Sequence, residues 1–191
     1  MESSDLQQQK KENALLCALA MAMVEHPKAT LLELAKAAGI GRTTLYNFCR
    51  TREELLERLF SYGIKIIRET LETAKIDSAP PLEALRKITE RSFQHREITA
   101  FMVRYWKLEH EAPPPDLNWE AQLDAFFLRG QQEGVFRIDI PASALCEIWM
   151  GIHSALVDAE RRGRVARSGL GDLLEYAFLQ GAAPVNSKAF E

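Results

Sequence analysis

The chain has 191 residues, of which 47% are apolar and 27% are charged, and its net charge is −3. This is the balance of an ordinary globular protein, and no apolar run approaches the roughly 18–20 residues that a membrane span requires, so we expect no membrane association. The amino-terminal sequence M-E-S-S-D-L-Q-Q-Q-K-K lacks the basic and then apolar segments of a signal peptide, and we expect a cytoplasmic protein.

Apolar residues recur at intervals of three and four along the whole chain, which predicts an all-α protein, because no sustained alternation indicates a strand. The first helix is predicted at about 6–24 and ends before Pro27, since the residue before a proline is disfavoured in the α conformation. Thr30 and Glu33 have the spacing of a capping box, which opens a short second helix at about 31–38.

The stretch A-A-G-I-G-R-T-T-L-Y-N-F, residues 37–48, follows this second helix. A phosphate-binding loop is excluded, because the glycine spacing differs from GxxxxGK[ST] and the preceding residues are helical. Gly39 lies just past a helix end, where a left-handed conformation suits glycine. Two short helices joined by a tight glycine turn form a helix-turn-helix.

The helix after this turn is predicted to bury Leu45 and to expose polar side chains that suit DNA recognition. Arginine can pair with guanine or phosphate, asparagine with adenine, and threonine and tyrosine with phosphate. Residues 26–52 contain five basic residues and one acidic residue, a local charge of +4 on an acidic chain. A merely solvated polar face is the alternative, and the capping box, the glycine turn and the local charge weigh against it.

The remainder of the chain is predicted as further helices. Thr51 and Glu54 have the spacing of a second capping box, which opens a long amphipathic helix. Residues 81–109 are predicted helical with an interruption near His95, residues 111–116 as an extended proline spacer, and residues 119–134 as another helix. The helix at 142–161 carries two neighbouring apolar stripes, which favours a homodimer interface formed by this helix and the last one, at 170–180.

The segment from Ala29 through L-A-K-A-A-G-I-G-R-T-T-L-Y to R-T-R-E-E-L resembles the DNA-binding domain of the TetR family of bacterial transcriptional regulators. The resemblance implies an all-α homodimer with a DNA-binding helix-turn-helix domain at 1–50 and a ligand-binding and dimerisation domain at 51–191. It also implies binding of double-stranded operator DNA by seven residues: Thr30, Arg42, Thr43, Thr44, Tyr46, Asn47 and Arg52. Gly41 departs from the family pattern, in which a serine is usual, and so does Cys49, where an aromatic residue is common.

A ligand-sensing body needs a mostly apolar cavity with a few polar groups. The candidates for binding a small-molecule effector are aromatic residues and one histidine of the body helices: Phe101, Tyr105, Trp106, Phe126, Phe127, Trp149 and His153. The alternative is that they only form the core. No metal is expected, because neither HExxH nor paired Cys/His spacing occurs around His110 and Glu111, and no cofactor is expected either.

The sequence therefore predicts a ligand-responsive DNA-binding regulator, namely a repressor that a small-molecule effector releases from a palindromic operator. A small all-α enzyme or ligand carrier with an incidental helix-turn-helix is the alternative. We expect no enzyme, because the sequence offers no nucleophile–base set and no phosphate loop.

Overall fold

The computed structural model describes residues 2–109 and 118–180, and these residues form nine helices and no strand, which confirms the predicted all-α class. The predicted spacer at 111–116 lies outside the described residues. The helices in chain order are α1 Glu2–Glu25, α2 Leu31–Ala37, α3 Arg42–Phe48, α4 Arg52–Ala74, α5 Pro81–Gln94, α6 Arg96–Glu109, α7 Trp119–Gln132, α8 Ala142–Arg161 and α9 Leu170–Gln180.

The described residues divide into two compact units. Unit 1 comprises residues 2–66 with 95–109, and unit 2 comprises residues 67–94 with 118–180. Helix α4 contributes residues 52–66 to unit 1 and residues 67–74 to unit 2 without a break. Compactness thus groups α6 with the first helices, and a functional boundary at residue 50 stays a prediction.

The core of unit 1 lies between α1, α6 and the first part of α4. Leu19, Met23 and Phe101 have no exposed surface, because the apolar faces of α1 and α6 pack against each other. The hydroxyl of Tyr105 donates a hydrogen bond of 2.8 Å to the carbonyl of Met23. A Cβ atom at Gly63 would overlap the side chain of Met102, so α4 and α6 approach closely at this glycine.

In unit 2, helices α5, α7, α8 and α9 enclose a second core. The guanidinium of Arg129 on α7 donates to the carbonyls of Ile76 and Ala79, each at 2.8 Å, and this anchors the turn between α4 and α5. A Cβ atom at Gly130 would overlap the ring of Phe136, so glycine here allows the 133–141 segment to fold onto α7.

Three helix ends differ from the sequence prediction or refine it. Helix α1 begins at Glu2, not near residue 6 as predicted. The prediction relied on apolar periodicity, and the glutamine- and lysine-rich start is helical without an apolar stripe. The interruption near His95 is confirmed. At the second predicted capping box, Glu54 N–H donates to the Thr51 hydroxyl (3.1 Å), but the Glu54 carboxylate accepts from the amide of Arg50 (2.8 Å).

None of the helices in the described part of the chain combines the length and the apolar character that crossing a membrane requires.

Candidate nucleic-acid interface and aromatic clusters

The corner between α2 and α3 has the geometry of a helix-turn-helix. Gly39 adopts a φ of +70°, and the amide of Ile40 donates to the carbonyl of Ala35 at 2.8 Å while the amide of Gly39 donates to Lys36 at 3.1 Å. These two bonds form a Schellman motif, which stops α2 and turns the chain toward α3. Gly41 caps α3 with extended backbone and offers no side-chain hydrogen bond.

Helix α3 presents a polar, solvent-exposed face. Leu45 is the one fully buried residue of α3. Its side chain has no exposed surface and packs the helix onto the rest of unit 1. Five of the seven side chains predicted to contact DNA project from this seven-residue helix, and all five are exposed: Arg42, Thr43, Thr44, Tyr46 and Asn47. The structure therefore brings these candidates together on one accessible surface, which we call the α3 face.

Thr30 is the N-cap of α2, and its capping box with Glu33 is confirmed. The Glu33 carboxylate accepts hydrogen bonds from the Thr30 amide at 2.7 Å and from the Thr30 hydroxyl at 2.8 Å. These bonds, from the backbone first and then the side chain, hold the pKa of Glu33 below its usual value. The Thr30 hydroxyl thus donates its proton to Glu33, and the residue serves to fix the start of α2. A phosphate contact by this hydroxyl stays a prediction.

Arg52 opens α4, and its guanidinium lies against the loop before α2. It donates to the carbonyl of Pro27 at 3.0 Å and to that of Ala29 at 3.2 Å. These bonds link α4 to the residue that immediately precedes the Thr30 cap. Sequence reasoning missed this role because the acceptors are backbone atoms 23 and 25 positions away.

Replacing Arg52 by alanine should therefore destabilise unit 1 by about 1–3 kcal/mol, since two hydrogen bonds from a charged donor are lost. Denaturant unfolding of the variant and of Arg52→Lys measures this loss. The salt dependence of DNA binding distinguishes the two roles. A phosphate contact would lower the slope of log K against log salt by about one for each guanidinium removed, whereas a loop anchor leaves the slope unchanged.

Two further arginines flank the α3 face. Arg50 is exposed two residues after the end of α3, and the sequence indicated it only as part of the local positive charge. The guanidinium of Arg58 lies 4.8 Å from the ring centre of Phe48 and 3.4 Å from the carboxylate of Glu54. Because this cation–π contact joins α4 to the last residue of α3, Arg58 supports the helix that carries the α3 face.

The seven ligand candidates do not form one group. Phe101, Tyr105 and Trp106 belong to unit 1, where Phe101 stacks on Tyr105 (5.0 Å between ring centres) and both Phe101 and Trp106 contact Phe60. Their place in a ligand-binding domain at 51–191 stays a prediction. Helical periodicity identified their buried face, but it did not identify α1 as the helix that covers it.

The other four candidates belong to unit 2 and form two clusters. Phe126 and Phe127 pack against Phe136, with ring centres 5.9 and 5.4 Å away, and Phe127 also contacts Phe178. The second cluster contains Trp149 and His153 and is described below. Elsewhere in unit 2, a groove of about 410 Å³ lies at the end of α4. None of the seven candidates lines this groove, whose walls carry charged residues of both signs.

His153 has no exposed surface, and neither of its ring nitrogens has a hydrogen-bond partner among the described residues. Burial lowers its pKa from 6.5 to about 4. The backbone of Ser92 acts in the opposite direction and raises the pKa by less than burial lowers it. The imidazole is therefore neutral at pH 7.

Acidification should unfold the protein partly through His153. Above pH 6.5 the ring is neutral in the folded and the unfolded chain, so it contributes no pH dependence. As the pH falls from 6.5 toward 4, the unfolded chain binds a proton that the folded chain does not, and stability decreases by roughly 2–4 kcal/mol. Urea unfolding of the wild type and of His153→Gln at pH 7.5 and 4.5 measures this difference. An equal acid sensitivity of both proteins would contradict it.

Helices α8 and α9 each expose apolar residues on the side away from the core. No charged residue occurs between Glu147 and Asp158 of α8, although Ile148 is 43% exposed there. On α9, Leu173 and Tyr176 are 44% and 68% exposed. We call this surface the α8–α9 face: Ile148, Gly151, Ile152, Ala155, Leu173 and Tyr176. Nothing lies within 4 Å of a Cβ atom built at Gly151, so a second helix could approach closely there.

No protein-family model matches the chain. The HTH-type transcriptional regulator NfxB of Pseudomonas aeruginosa is 42% identical over 176 residues, which cover 90% of this chain and 94% of NfxB. The HTH-type transcriptional repressor LfrR of Mycolicibacterium smegmatis is 27% identical over 124 residues, 65% of this chain and 61% of LfrR.

Solved structures with a similar fold include the TetR-like regulator LfrR from Mycobacterium smegmatis, with a TM-score of 0.68 at 21% identity over 93% of this chain and 98% of LfrR. The structure of LfrR in complex with proflavine gives a TM-score of 0.58 at 22% identity, covering 94% of this chain and 99% of that one. Both structures share the fold of this chain.

Proposed function

Because the chain belongs to the TetR family of transcriptional regulators, we propose that it is a dimeric repressor which leaves its operator when a small-molecule effector binds. The α3 face carries this proposal. It combines one buried anchor, Leu45, with five exposed side chains that can reach base edges and phosphates. Both curated relatives are transcriptional regulators, which favours regulation over an enzyme or a ligand carrier.

DNA contact is proposed for Arg42, Thr43, Thr44, Tyr46 and Asn47, with Thr30 and Arg52 holding the neighbouring helix and loop. Arginine and asparagine supply base recognition, while the threonine and tyrosine hydroxyls supply phosphate contacts that fix the register. Arg50 adds a positive charge beside this surface. Its phosphate contacts would raise affinity without selecting sequence.

A homodimer through α8 and α9 is proposed to present two α3 faces to one operator. An exposed apolar surface such as the α8–α9 face is stable when a second copy covers it, and twofold symmetry then makes the interface self-complementary. Two recognition helices about 34–36 Å apart enter successive major grooves, so the operator should be an inverted repeat.

Release by an effector is proposed to act through α4, the helix that belongs to both units. An effector can shift the protein only by binding one conformation more tightly than the other. The ligand-bound LfrR structure contains proflavine, a planar aromatic amine, and the aromatic clusters of unit 2 support an effector of this class here. We place the protein in the cytoplasm, where operator DNA is.

The test is binding of the full-length protein to the DNA upstream of its own gene and to a scrambled duplex, over a series of salt concentrations. Specific binding should exceed binding to the scrambled duplex by about a thousandfold or more, and both should weaken steeply with salt. Equal and weak binding to both duplexes would contradict autoregulation at this site.

A further inference from the structure

Helix α3 is attached to unit 1 along one line of its surface. Leu45 has no exposed surface and the C-cap residue Cys49 is 1% exposed, and the two lie four positions apart on the same side of the helix. Gly41 offers no side-chain cap at the other end. A helix of seven residues is too short to be stable alone. Two contacts in a row do not by themselves prevent it from rolling about its axis.

The guanidinium of Arg58 supplies a contact away from that line. It lies 4.8 Å from the ring centre of Phe48. Because Phe48 follows Leu45 by three positions and Cys49 follows it by four, their side chains project to opposite sides of Leu45, about 100° apart. A contact at Phe48 therefore resists the roll that Leu45 and Cys49 allow.

Two carboxylates hold this guanidinium at the ring. Glu54 lies 3.4 Å from it on the same helix, and Glu12 of α1 lies 3.9 Å from it. The other oxygen of Glu54 accepts a hydrogen bond of 2.8 Å from the amide of Arg50. That bond first, and Arg58 after it, lower the pKa of Glu54, so the carboxylate is charged at pH 7. One carboxylate thus joins Arg58 to the chain that leaves α3.

These ion pairs are poorly suited to stabilising the fold. The side chains of Arg58, Glu54 and Glu12 are 43%, 39% and 41% exposed, and solvent screens ion pairs at such positions. Their place beside α3 suits a different role, because hydrogen bonds to base edges require the side chains to be held within about 0.5 Å and 10–20°. A roll of α3 would displace Arg42 and Asn47 by more than that.

We propose that Arg58 is a positioning residue for DNA recognition, which holds Phe48 together with Glu54 and so fixes the rotation of α3 against the bases without touching DNA itself. This proposal rests on the proposed function and adds to it a residue that determines sequence selectivity. Phosphate contacts carry no sequence information, whereas base contacts depend on the orientation of α3. Loss of the Arg58–Phe48 contact therefore lowers affinity for the specific sequence more than for arbitrary DNA.

The test is a double-mutant cycle in the full-length protein, with Arg58→Ala, Phe48→Leu and both changes together. Fluorescence anisotropy over a salt series measures binding to a duplex selected by the wild type from a random pool and to a scrambled duplex. Arg58→Ala should lower affinity for the selected duplex by about five- to twenty-five-fold, because a dimer loses two cation–π contacts that each contribute about two- to fivefold. Affinity for the scrambled duplex should fall by about twofold or less, with an unchanged salt slope, since no phosphate contact is lost.

The double variant should bind the selected duplex no more weakly than the weaker single variant, because both substitutions remove the same contact. Lys65→Ala is the matched control, since it removes an exposed positive charge from the same face of α4 two turns beyond Arg58, and it should leave both affinities unchanged. Equal losses on the two duplexes would show that Arg58 acts through its charge alone. Additive losses in the double variant would show that it acts independently of Phe48. Either result would overturn the proposal.

Amide hydrogen exchange without DNA is the second readout. In Arg58→Ala the amides of residues 45–49 should exchange about two- to fivefold faster than in the wild type, whereas the amides of α7 and α8 should keep their protection. Unchanged exchange in α3 would also overturn the proposal. A wild type that selects no duplex, but whose α3 amides lose protection in Arg58→Ala, would refute the proposed function and leave the Arg58–Phe48 contact as the element that holds α3.

Discussion

Replacing Arg42 and Tyr46 together by alanine is expected to lower operator affinity by about a thousandfold or more while folding and dimerisation stay unchanged. A base or phosphate contact contributes on the order of 1–3 kcal/mol, and a dimer loses four such contacts. Both side chains are exposed, Tyr46 at 48%, so the substitutions remove little buried surface. Surface changes of this kind alter stability by about 0.5 kcal/mol or less.

Fluorescence anisotropy with an operator duplex measures the affinity, and denaturant unfolding with sedimentation confirms that the variant is folded and dimeric. Arg164→Ala is the matched control, because it removes one exposed positive charge from the 162–169 loop in unit 2. Retention of full affinity by the double variant would show that α3 does not contact DNA. A similar loss in Arg164→Ala would attribute the effect to net charge.

Replacing Ile148 and Tyr176 together by glutamate is expected to convert the dimer into folded monomers. Both residues are exposed in a single chain, so the charges do not disturb its core. In a dimer through the α8–α9 face, four carboxylates would lose their hydration and face one another. Operator affinity should then fall by about 10²–10⁴, because the second α3 face no longer binds as part of the same molecule.

Sedimentation equilibrium measures the change in mass, and anisotropy measures the change in DNA affinity. Ile138→Glu serves as the control, since Ile138 is 83% exposed and lies outside α8 and α9. A double variant that remains dimeric would place the interface elsewhere. A monomer that binds the operator as tightly as the wild type would contradict the need for two α3 faces.

The helix-turn-helix could be predicted from the sequence because its determinants are local. Thr30 and Glu33 are three residues apart, and the turn at Gly39 depends on one residue that tolerates a positive φ. Such signals need no knowledge of the rest of the fold. The same reasoning predicted the bounds of α8 and α9 as they are found, since proline, glycine and arginine mark their ends.

The ligand candidates illustrate what local patterns leave open. Periodicity indicated that Phe101 and Phe127 are buried, and both are. It could not indicate which helices these faces pack against. Helix α6 packs on α1, so Phe101 belongs to unit 1, whereas Phe127 on α7 belongs to unit 2. Arg52 binds the carbonyls of Pro27 and Ala29, and His153 is fully buried. Both features follow from tertiary packing, which a single sequence does not encode in a readable pattern.

The most direct measurement is selection of bound duplexes from a random DNA pool by the full-length protein, followed by sequencing. A dimer that presents two α3 faces to successive major grooves should select an inverted repeat, with half-sites centred about 10 base pairs or a multiple of that spacing apart. Enrichment of such a repeat by the wild type, and its loss in the Arg42, Tyr46 double variant, is the expected result. A pool that stays random, or the same motif selected by the double variant, would contradict the account.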